Sequence, residues 1–399
     1  MVKEKWISTH IKDIATIYGR IGFRGYTKQD IVKPGFGAIS LSPSNIKDGK
    51  VTYAPATYIS WEKYEESPEI KLTDGDVVLV KTGSTFGKTA YIDRLPWPTT
   101  LNPQIVVFKK LKIHAKLFAY FMASKNIQEQ ISAVIVGGAI PTLSQEQVYA
   151  FDIVYPPDTK EQAAIAKVLS DVDSLISSLQ KLIEKKKAIK QGAMQELLTG
   201  KKRLPGFSGE WEKNTLKQIC EFINGRAYSQ HELLSRGKYK VLRLGNLFTN
   251  SHWYYTDLEL NEKQYCEKGD LLYAWSASFG PTIWDGEKSV FHYHIWKIKC
   301  SEMIDKKYLY HFLNADVSSI LNELQGGTMF HLTKENMENR LCSYPNLDEQ
   351  QAIAQVLSDM DCEIEQLEKK LAKYQQIKQG MMQELLTGRI RLKEGENNV

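Results

Sequence analysis

The chain contains the same helical sequence twice. The segment EQAAIAKVLSDVD at residues 161–173 returns as EQQAIAQVLSDMD at residues 349–361. The segment IKQGAMQELLTG, ending at Gly200, returns as IKQGMMQELLTG, ending at Gly388. Both pairs are offset by 188 residues, and the second pair differs only at Ala193 against Met381. Because the repeat is long and in register, we interpret the chain as a duplicated structural unit.

The repeated segments have the residue spacing of long helices. Apolar residues recur at alternating steps of four and three, which is the seam of a coiled coil. The seam residues are Ile165, Leu169, Val172, Ile176, Leu179 and Ile183, and in the second copy Ile353, Leu357, Met360, Ile364, Leu367 and Leu371. A single helix cannot bury such a stripe alone, so we expect the two copies to pack antiparallel against each other.

Cap signals mark both ends of each predicted helix. Asp158 and Asn346 are predicted N-caps, and a glutamate three residues later, Glu161 or Glu349, completes the pattern of a capping box. The glycines that end both repeats stand where C-cap glycines belong. We therefore predict one helix over Asp158–Leu198 and an equivalent helix in the second copy.

The segments outside the helices differ in sequence but share a pattern. Each has a Gly-Asp pair, an apolar run and a Ser/Gly loop, in GDVVLVKTGSTFGKT from Gly75 and GDLLYAWSASFGPT from Gly269. Helical patterns at Lys116–Ser132 and Lys306–Leu324 alternate with predicted strands. We predict an α+β fold of two α/β globules with twisted sheets, separated by two long antiparallel helices in a pseudo-twofold repeat. The predicted globules are residues 1–155 and 205–343, and the helical spacers are 156–204 and 344–399.

Composition sets broad limits on function. The chain is 42% hydrophobic and has a formal net charge of +5, a mild basic excess that suits a polyanionic partner without requiring one. No apolar run approaches twenty residues and no signal-peptide pattern opens the chain. The five cysteines show no close pairing, which fits a reducing compartment. We therefore expect a cytoplasmic protein without membrane contact.

Three motifs resemble catalytic or metal sites but are incomplete. TGSTFGKT, at residues 82–89, has one residue too few between its glycines for a phosphate-binding loop. His292 and His294 alternate on a predicted strand over Val290–Lys299, so both face one side, but no third ligand has a suitable spacing for zinc. The run Asn102-Pro103-Gln104-Ile105 begins like the NPPY motif of amino-methyltransferases but lacks its second proline and its aromatic residue. The sequence therefore predicts a binding protein with no catalytic or metal site.

Polar residues in or beside predicted turns are the candidate DNA contacts. They include the donor and acceptor types that read base edges or bind phosphates. The candidates in the first globule are Arg20, Arg24, Lys28, Ser44, Asn45, Lys81, Thr82, Ser84, Thr85 and Lys88. Those in the second globule are Arg226, Tyr228, Arg243, Asn246, Ser276, Ser278, His292 and His294.

The two QELLTG helix ends, with KKRLPGFSGEW following the first at residues 201–211, resemble the specificity subunit of type I restriction-modification enzymes. The resemblance covers the whole chain, as target-recognition domain, conserved helix, target-recognition domain and conserved helix. It implies a non-catalytic subunit that binds a split, asymmetric site on double-stranded DNA, with one globule for each half-site. The helix pair would then act as a rigid spacer between the half-sites.

The resemblance also implies protein partners. The cofactors that it implies would be bound by those partners and not by this chain. Two modification subunits would bring S-adenosylmethionine for adenine methylation, and two restriction subunits would bring ATP and Mg²⁺ for translocation and cleavage. Two like helices suit two copies of one partner, so the modification subunits are expected at the repeated helix ends. The candidate partner contacts are Gln195, Glu196, Leu197, Gln383, Glu384 and Leu385.

Three functions of other classes remain open from the sequence. A nucleotide-hydrolysing enzyme would need the 82–89 loop to bind phosphate. A coiled-coil adaptor would have globules without any DNA preference. A tandem-domain DNA-binding repressor would bind DNA specifically without a methyltransferase partner.

Overall fold

The computed structural model describes residues 5–134, 142–248, 251–276, 278–324 and 332–392. Contacts divide the chain into two compact units. Unit 1 comprises residues 1–178 and 371–399, and unit 2 comprises residues 179–370. Each unit therefore combines one globule with the start of the helix that follows it and with the end of the other long helix.

Unit 1 is a mixed helix and strand globule. Its strands are β1 (Ile7–His10), β2 (Thr16–Gly19), β3 (Ile31–Val32), β4 (Gly37–Leu41), β5 (Ile46–Lys47), β6 (Lys50–Val51), β7 (Thr57–Ser60), β8 (Val77–Val80), β9 (Thr89–Tyr91), β10 (Thr99–Leu101), β11 (Ile105–Lys109) and β12 (Asp152–Tyr155). Its helices are α1 (Ile11–Ile14), α2 (Trp61–Glu65), α3 (Ala115–Met122), α4 (Lys125–Ala133), α5 (Gln145–Tyr149) and the start of α6 (Thr159–Leu197). One sheet has the order β2-β11-β8-β9 and a second has the order β10-β4-β7-β3, in which β10 and β4 are parallel. Strand β1 pairs with β12.

Unit 2 repeats this plan. Its strands are β13 (Glu212–Thr215), β14 (Cys220–Asn224), β15 (Tyr239–Leu242), β16 (Tyr254–Thr256), β17 (Tyr265–Cys266), β18 (Leu271–Ser276), β19 (Ser278–Ile283), β20 (Ser289–Phe291), β21 (Ile295–Cys300) and β22 (Leu341–Tyr344). Its helices are α7 (Leu216–Ile219), α8 (Leu244–Phe248), α9 (Lys306–Leu324), α10 (Lys334–Glu338) and the start of α11 (Leu347–Leu385). The sheet β14-β21-β18-β19 matches β2-β11-β8-β9, and β15 and β20 form the parallel pair of the second sheet. The α+β fold with two sheet-rich globules and two long helices is thus confirmed.

The long helices enter the hydrophobic cores of both units. In unit 1 the core takes residues from the start of α6 and from the end of α11, and in unit 2 it takes their counterparts from α11 and α6. The buried residues of the long helices and of the turns that end them are Ile165, Ala166, Leu169, Leu385 and Leu386 in unit 1. They are Ile353, Ala354, Leu357, Met194, Leu197 and Leu198 in unit 2. Burial of these side chains is the main force that holds each helix to its globule.

Polar pairs fix the antiparallel register of the helices within each unit. In unit 1 the Asp173 carboxylate lies 2.7 Å from Lys378 Nζ and accepts a hydrogen bond of 2.7 Å from the Tyr120 hydroxyl. In unit 2 the equivalent carboxylate of Asp361 lies 2.5 Å from Lys190 Nζ. Lys190 and Lys378 interrupt the apolar seam. At these positions the ion pairs give each lysine ammonium group a carboxylate partner.

The predicted capping boxes are half correct. The Asn346 side chain accepts the N–H of Glu349 at 3.0 Å, as an N-cap should. Each glutamate carboxylate, however, binds an arginine that follows the end of the other long helix. Arg203 Nε donates to Glu349 Oε1 at 2.5 Å, and Arg391 Nε donates to Glu161 Oε1 at 2.8 Å. Glu349 is fully buried, so the arginine supplies the charge that its carboxylate requires.

The predicted helix over Lys116–Ser132 is two helices, α3 and α4. The chain turns at Ala123 and Ser124, where the Ser124 N–H donates to Phe121 O at 2.9 Å. Gln128 Nε2 donates to the Met122 carbonyl at 2.8 Å and so satisfies a group that the turn leaves without a helical partner. The prediction of α9 over Lys306–Leu324 is correct.

Each long helix ends on a glycine that packs against a tryptophan ring. Gly200 has a φ of +70° and Gly388 a φ of +69°, a left-handed conformation that favours glycine. A Cβ added at Gly200 would lie 3.3 Å from the Trp211 ring, and one at Gly388 would lie 3.1 Å from the Trp6 ring. The predicted C-caps are thus confirmed. Because glycine has no side chain, each one also allows a tryptophan ring to pack closely against it.

Gly200→Ala is expected to destabilise the protein by about 1–2 kcal/mol, because alanine at positive φ is strained and its methyl group would crowd the Trp211 ring. Urea unfolding followed by circular dichroism measures the change in the free energy of unfolding.

The matched control is Gly192→Ala within α6, where an added Cβ meets nothing within 4 Å. This substitution should stabilise the chain by about 0.5–1 kcal/mol, because alanine loses less conformational entropy in a helix than glycine does. Equal effects of the same sign at both positions would contradict this account of the helix end.

Candidate nucleic-acid interface

In each unit, the two parallel strands of the second sheet end side by side. Leu41 pairs with Leu101 in unit 1, and Leu242 pairs with Phe291 in unit 2. The residue after the second strand then donates its N–H to the last carbonyl of the first strand, at 3.0 Å in unit 1 and 2.9 Å in unit 2. Two loops therefore begin at one sheet edge in each unit, which is where binding residues commonly lie in sheets with parallel strands.

The loop after the first parallel strand is built on the same asparagine contact in both units. Asn45 Oδ1 accepts the N–H of Ser42 at 3.0 Å, and Asn246 Oδ1 accepts the N–H of Arg243 at 3.2 Å. The amide nitrogens then donate to backbone carbonyls further along the chain, Asn45 to Pro55 O at 2.9 Å and Asn246 to His252 O at 2.8 Å. Both asparagines, predicted as DNA contacts, thus hold their loops in shape.

The loop after the second parallel strand is also shared. Residues 102–105 and 292–295 each form a turn in which the isoleucine N–H donates to the carbonyl three residues earlier, at 3.2 Å and 2.9 Å. The predicted single strand over Val290–Lys299 is therefore wrong. His292 and His294 lie in a turn between β20 and β21, because the chain leaves one sheet there and enters the other. Their rings still lie together, with centroids 4.9 Å apart.

A third loop contacts this turn in each unit. Lys81 N–H donates to Gln104 O at 2.8 Å in unit 1, and Trp275 N–H donates to His294 O at 3.2 Å in unit 2. Lys81 directly follows β8, and Trp275 lies next to the last residue of β18. Three loops therefore meet at each edge, which we call the reading edge of the unit.

Arg20 and Arg226 contact the strand that ends at the reading edge, Arg20 at Leu101 and Arg226 at Phe291. Arg20 is buried, and it donates from Nε to Leu101 O at 2.9 Å and from Nη2 to Thr100 Oγ1 at 3.2 Å. Burial lowers the pKa of Arg20. Arg226 Nη2 donates to Glu232 at 2.6 Å, and this contact, together with hydrogen bonds from Ser229, lowers the pKa of that carboxyl to about 2.

An aromatic ring lies beside each of these arginines. The Arg20 guanidinium lies 5.6 Å from the Tyr26 ring, and that of Arg226 lies 5.1 Å from the Tyr228 ring. The Tyr228 ring in turn stacks on His292 at 6.4 Å. The geometry of both arginines favours a supporting role over direct contact with a ligand.

The loop at residues 82–89 is a β-hairpin turn. Gly83 and Gly87 have φ values of +101° and +83°, Val80 N–H donates to Lys88 O at 2.8 Å, and strand β9 follows instead of a helix. A phosphate-binding loop needs its amides to encircle the phosphate at a helix N-terminus. The turn instead presents exposed Ser84 and Lys88 to solvent.

The remaining predicted residues of unit 1 are placed in different environments. Lys28 and Ser44 are exposed, and Thr85 is half-buried in the hairpin turn. Thr82 Oγ1 lies 2.9 Å from Thr142 Oγ1. Arg24 is half-buried, with Nη1 at 3.5 Å from Glu69. Ser44, Lys81, Thr82, Thr85 and Lys88 thus belong to the loops of the reading edge or to its hairpin turn, whereas Arg24 and Lys28 lie between β2 and β3.

A small cleft of about 220 Å³ opens at the reading edge of unit 2. Its lining residues are Arg243, Leu244, Gly245, Asn246, His252, Tyr254, His292 and His294. Burial, with smaller contributions from His294 and Arg243, lowers the pKa of His292 to about 4, so its imidazole is neutral at neutral pH. A neutral imidazole has one donor and one acceptor, and base edges in a groove offer partners for both. The exposed Arg243 guanidinium lies over the Tyr254 ring at 5.3 Å.

The candidate serines of the second globule lie on strands β18 and β19. Ser276 is buried at the end of β18. Ser278 is the first residue of β19 and pairs with Ser276 through the backbone.

Several residues of the reading edges are not among those predicted from the sequence. Asn102 and Gln104 were considered only for a methyltransferase motif, although a polar pair directly after an apolar strand is itself a signal for a binding loop. His252, Tyr254 and Trp275 were not among the candidates. Their place depends on the long-range pairing of β15 with β16 and of β18 with β21, which local patterns do not specify.

At the repeated helix ends, the candidate partner contacts separate into two groups. Gln195, Glu196 and Gln383 are exposed and Glu384 is partly exposed. Leu197 and Leu385 are buried in the cores of units 2 and 1, so they lie inside the fold rather than on a docking surface.

Within the described ranges, no cluster of three or more histidine, cysteine, aspartate or glutamate side chains has the arrangement of a metal site. Among those same residues, no helix combines the length and apolar character needed to cross a membrane.

Comparison with solved structures shows the fold. A crystal structure of the S subunit of a type I restriction-modification system from M. genitalium matches with a TM-score of 0.63 at 16% identity, covering 98% of this chain and 97% of that chain. A chain from a study of complex assembly and conformational transition in the type I R-M system matches with a TM-score of 0.56 at 15% identity, covering 98% of this chain and 100% of that chain.

Sequence comparison extends over the whole chain. The putative type I restriction enzyme MjaX specificity subunit of Methanocaldococcus jannaschii is 26% identical over 417 residues, which cover 98% of this chain and 95% of the relative. The MjaVIII specificity subunit of the same organism is 26% identical over 351 residues, covering 82% of this chain and 81% of the relative. The family model of the type I restriction modification DNA specificity domain matches twice, at residues 3–191 and 208–379. The chain therefore belongs to the type I restriction-modification specificity subunits, the non-catalytic DNA-recognition members of these systems, and carries two copies of their specificity domain.

Proposed function

We propose that this chain reads a bipartite, asymmetric DNA target, with one half-site for each reading edge, and that its repeated helix ends dock two methyltransferase subunits. The observation that carries the proposal is the pair of reading edges, which share one backbone framework and differ in side chains. Equivalent backbones suit equivalent positions on DNA, whereas different side chains suit different base sequences.

The side chains at the reading edges have the chemistry that this function requires. Both edges present amide, imidazole, hydroxyl or guanidinium groups on loops held by internal hydrogen bonds. Exposed lysines such as Lys88 flank them and can contact phosphates, which position a protein on DNA without reading its sequence. The low net charge of +5 fits a subunit whose partners supply part of the phosphate contact.

The helix ends support the second part of the proposal. The QELLTG segments are identical in sequence, and their glutamines are exposed in both copies. Two identical surfaces suit two copies of one partner. In this proposal S-adenosylmethionine is bound by the modification subunits, and ATP with Mg²⁺ by two restriction subunits, so this chain needs no cofactor of its own.

The proposal is tested by selecting bound duplexes from a random-sequence library with the complex of this chain and its methyltransferase subunits. Two unlike sequence blocks separated by a constant number of unselected base pairs are expected. A single block or a palindrome would contradict a bipartite asymmetric target. Equally specific selection by this chain without any methyltransferase would favour the tandem-domain repressor, and no selection at all would favour the coiled-coil adaptor.

Lys88→Ala should weaken binding to all DNA sequences alike, because the exposed amine contacts phosphate and not a base. The slope of log affinity against log salt concentration should fall by about one, as measured by fluorescence anisotropy across a salt series. The charge-matched control is Lys33→Ala, in the exposed turn that precedes β4, at the end of this strand away from the reading edge. A lost base preference in Lys88→Ala would place this side chain on a base instead.

The double variant Gln195→Lys and Gln383→Lys should reduce co-purification of the methyltransferase, because both exposed amides lie on the repeated surface. Pull-down at fixed protein concentration measures the retained partner. The matched control is Glu184→Lys, an exposed change on the same helix at a position where the repeat has Ala372 instead. Equal loss of partner in the control and the double variant would count against a docking surface at the helix ends.

Insertion of one heptad after Ser178 and another after Lys370 should change the number of unread base pairs and leave both half-site sequences intact. Each helix becomes longer by about 10 Å, close to three base pairs of B-DNA, while the contacts within each unit are retained. The methylated motif in genomic DNA gives the new spacer. An unchanged spacer with full methylation would mean that the helices do not set it.

A further inference from the structure

We propose that Gln104 reads an adenine in one half-site and that Arg243 reads a guanine in the other, as the base-reading side chains of the two reading edges. This inference rests on the proposed function, because it assigns bases to surfaces that are proposed to bind DNA. It goes further by naming the side chain and the base for each half-site.

The shared backbone makes the two edges comparable position by position. The hydrogen bonds that hold the three loops place Ser42 opposite Arg243 in the alignment of the edges, and Asn102 opposite His292. The same bonds align residue 104 with residue 294 and residue 81 with residue 275. At all four positions the two units carry side chains of different chemistry. A framework that is constant while its outward side chains differ is what two readers of different sequences require.

Several polar residues at the edges are excluded as readers because the fold already uses them. Asn45 and Asn246 use both ends of their amides to hold the first loop. Arg20 is buried and donates to backbone and threonine oxygens, and Arg226 is paired with Glu232. This leaves the residues whose functional groups reach the surface of the loops.

Gln104 has the position and chemistry of an adenine reader. It is exposed, and its backbone is fixed by the hydrogen bond from Lys81. Its side-chain Oε1 accepts from Asn102 Nδ2 at 3.3 Å, which orients the amide. Gly83 lies beside the amide, and a Cβ there would come within 3.3 Å of Gln104 Nε2. A glutamine amide held in this way can donate to adenine N7 and accept from its N6 amino group in the major groove.

Arg243 has the corresponding properties for guanine. Its exposed side chain lines the unit 2 cleft, and its backbone N–H is fixed by Asn246. Its guanidinium lies over the Tyr254 ring at 5.3 Å, a cation–π contact that positions the group without using its N–H donors. Two parallel N–H donors match O6 and N7 of guanine, the pairing that arginine makes most often with a base.

The test is selection from a random duplex library by the complex with its methyltransferase subunits, repeated with Gln104→Ala and with Arg243→Ala. Gln104→Ala should lower the preference for adenine at one position of one half-site by roughly 5- to 150-fold. Arg243→Ala should lower the preference for guanine at one position of the other half-site by a similar factor. Each variant should leave the second half-site as in the wild type.

Lys33→Ala is the control, because it removes an exposed side chain outside the reading edge, and its base profile should match the wild type. The inference is overturned if either variant keeps the wild-type profile, alters both half-sites, or loses affinity equally for all sequences. It is also overturned if both variants change the same half-site. Failure of the wild-type complex to select any sequence is a different result, because it would reject the proposed function itself.

Discussion

The ion pair between a glutamate at the start of one long helix and an arginine after the end of the other organises both units. Glu349 is completely buried and Glu161 nearly so, and a buried carboxylate without a cation would be strongly unfavourable. The pairs with Arg203 and Arg391 therefore require the two helix termini to lie together. The glycine caps, the tryptophan rings on them and the leucines that enter the cores all depend on that placement.

The molecule separates what is constant from what varies. The helices, their ion pairs and the asparagine-held loops recur in both units with the same contacts. The side chains of the reading edges differ between the units, and those proposed to read bases, Gln104 and Arg243, are exposed on loops. Recognition can therefore change at exposed loop positions without loss of the hydrophobic cores that stabilise each unit.

The parts of the structure that depend on local periodicity were predictable from the sequence. The seam residues, the glycine caps and α9 follow from spacing, because a helix is determined by contacts three and four residues apart. The positions of Arg20 and Gln104 were not predictable, since each depends on strands far away in the sequence. Arg20 contacts Leu101, a separation of 81 residues, and no local pattern could show that its guanidinium would be buried. The turn at His292 was missed for a related reason, because only the pairing of β20 and β21 in different sheets divides that apolar run.

The discontinuity of unit 1 has a consequence for the order in which the protein folds during synthesis. Unit 2 is one continuous stretch, so all of its contacts are available once residue 370 has emerged from the ribosome. Unit 1 begins first but needs Arg391, which is made 230 residues after the Glu161 that it binds. Domains usually fold in the order in which they are made. Here the second globule can complete its core before the part of unit 1 that begins at Leu371 has been made. The first globule is therefore exposed for longer to chaperones and proteases.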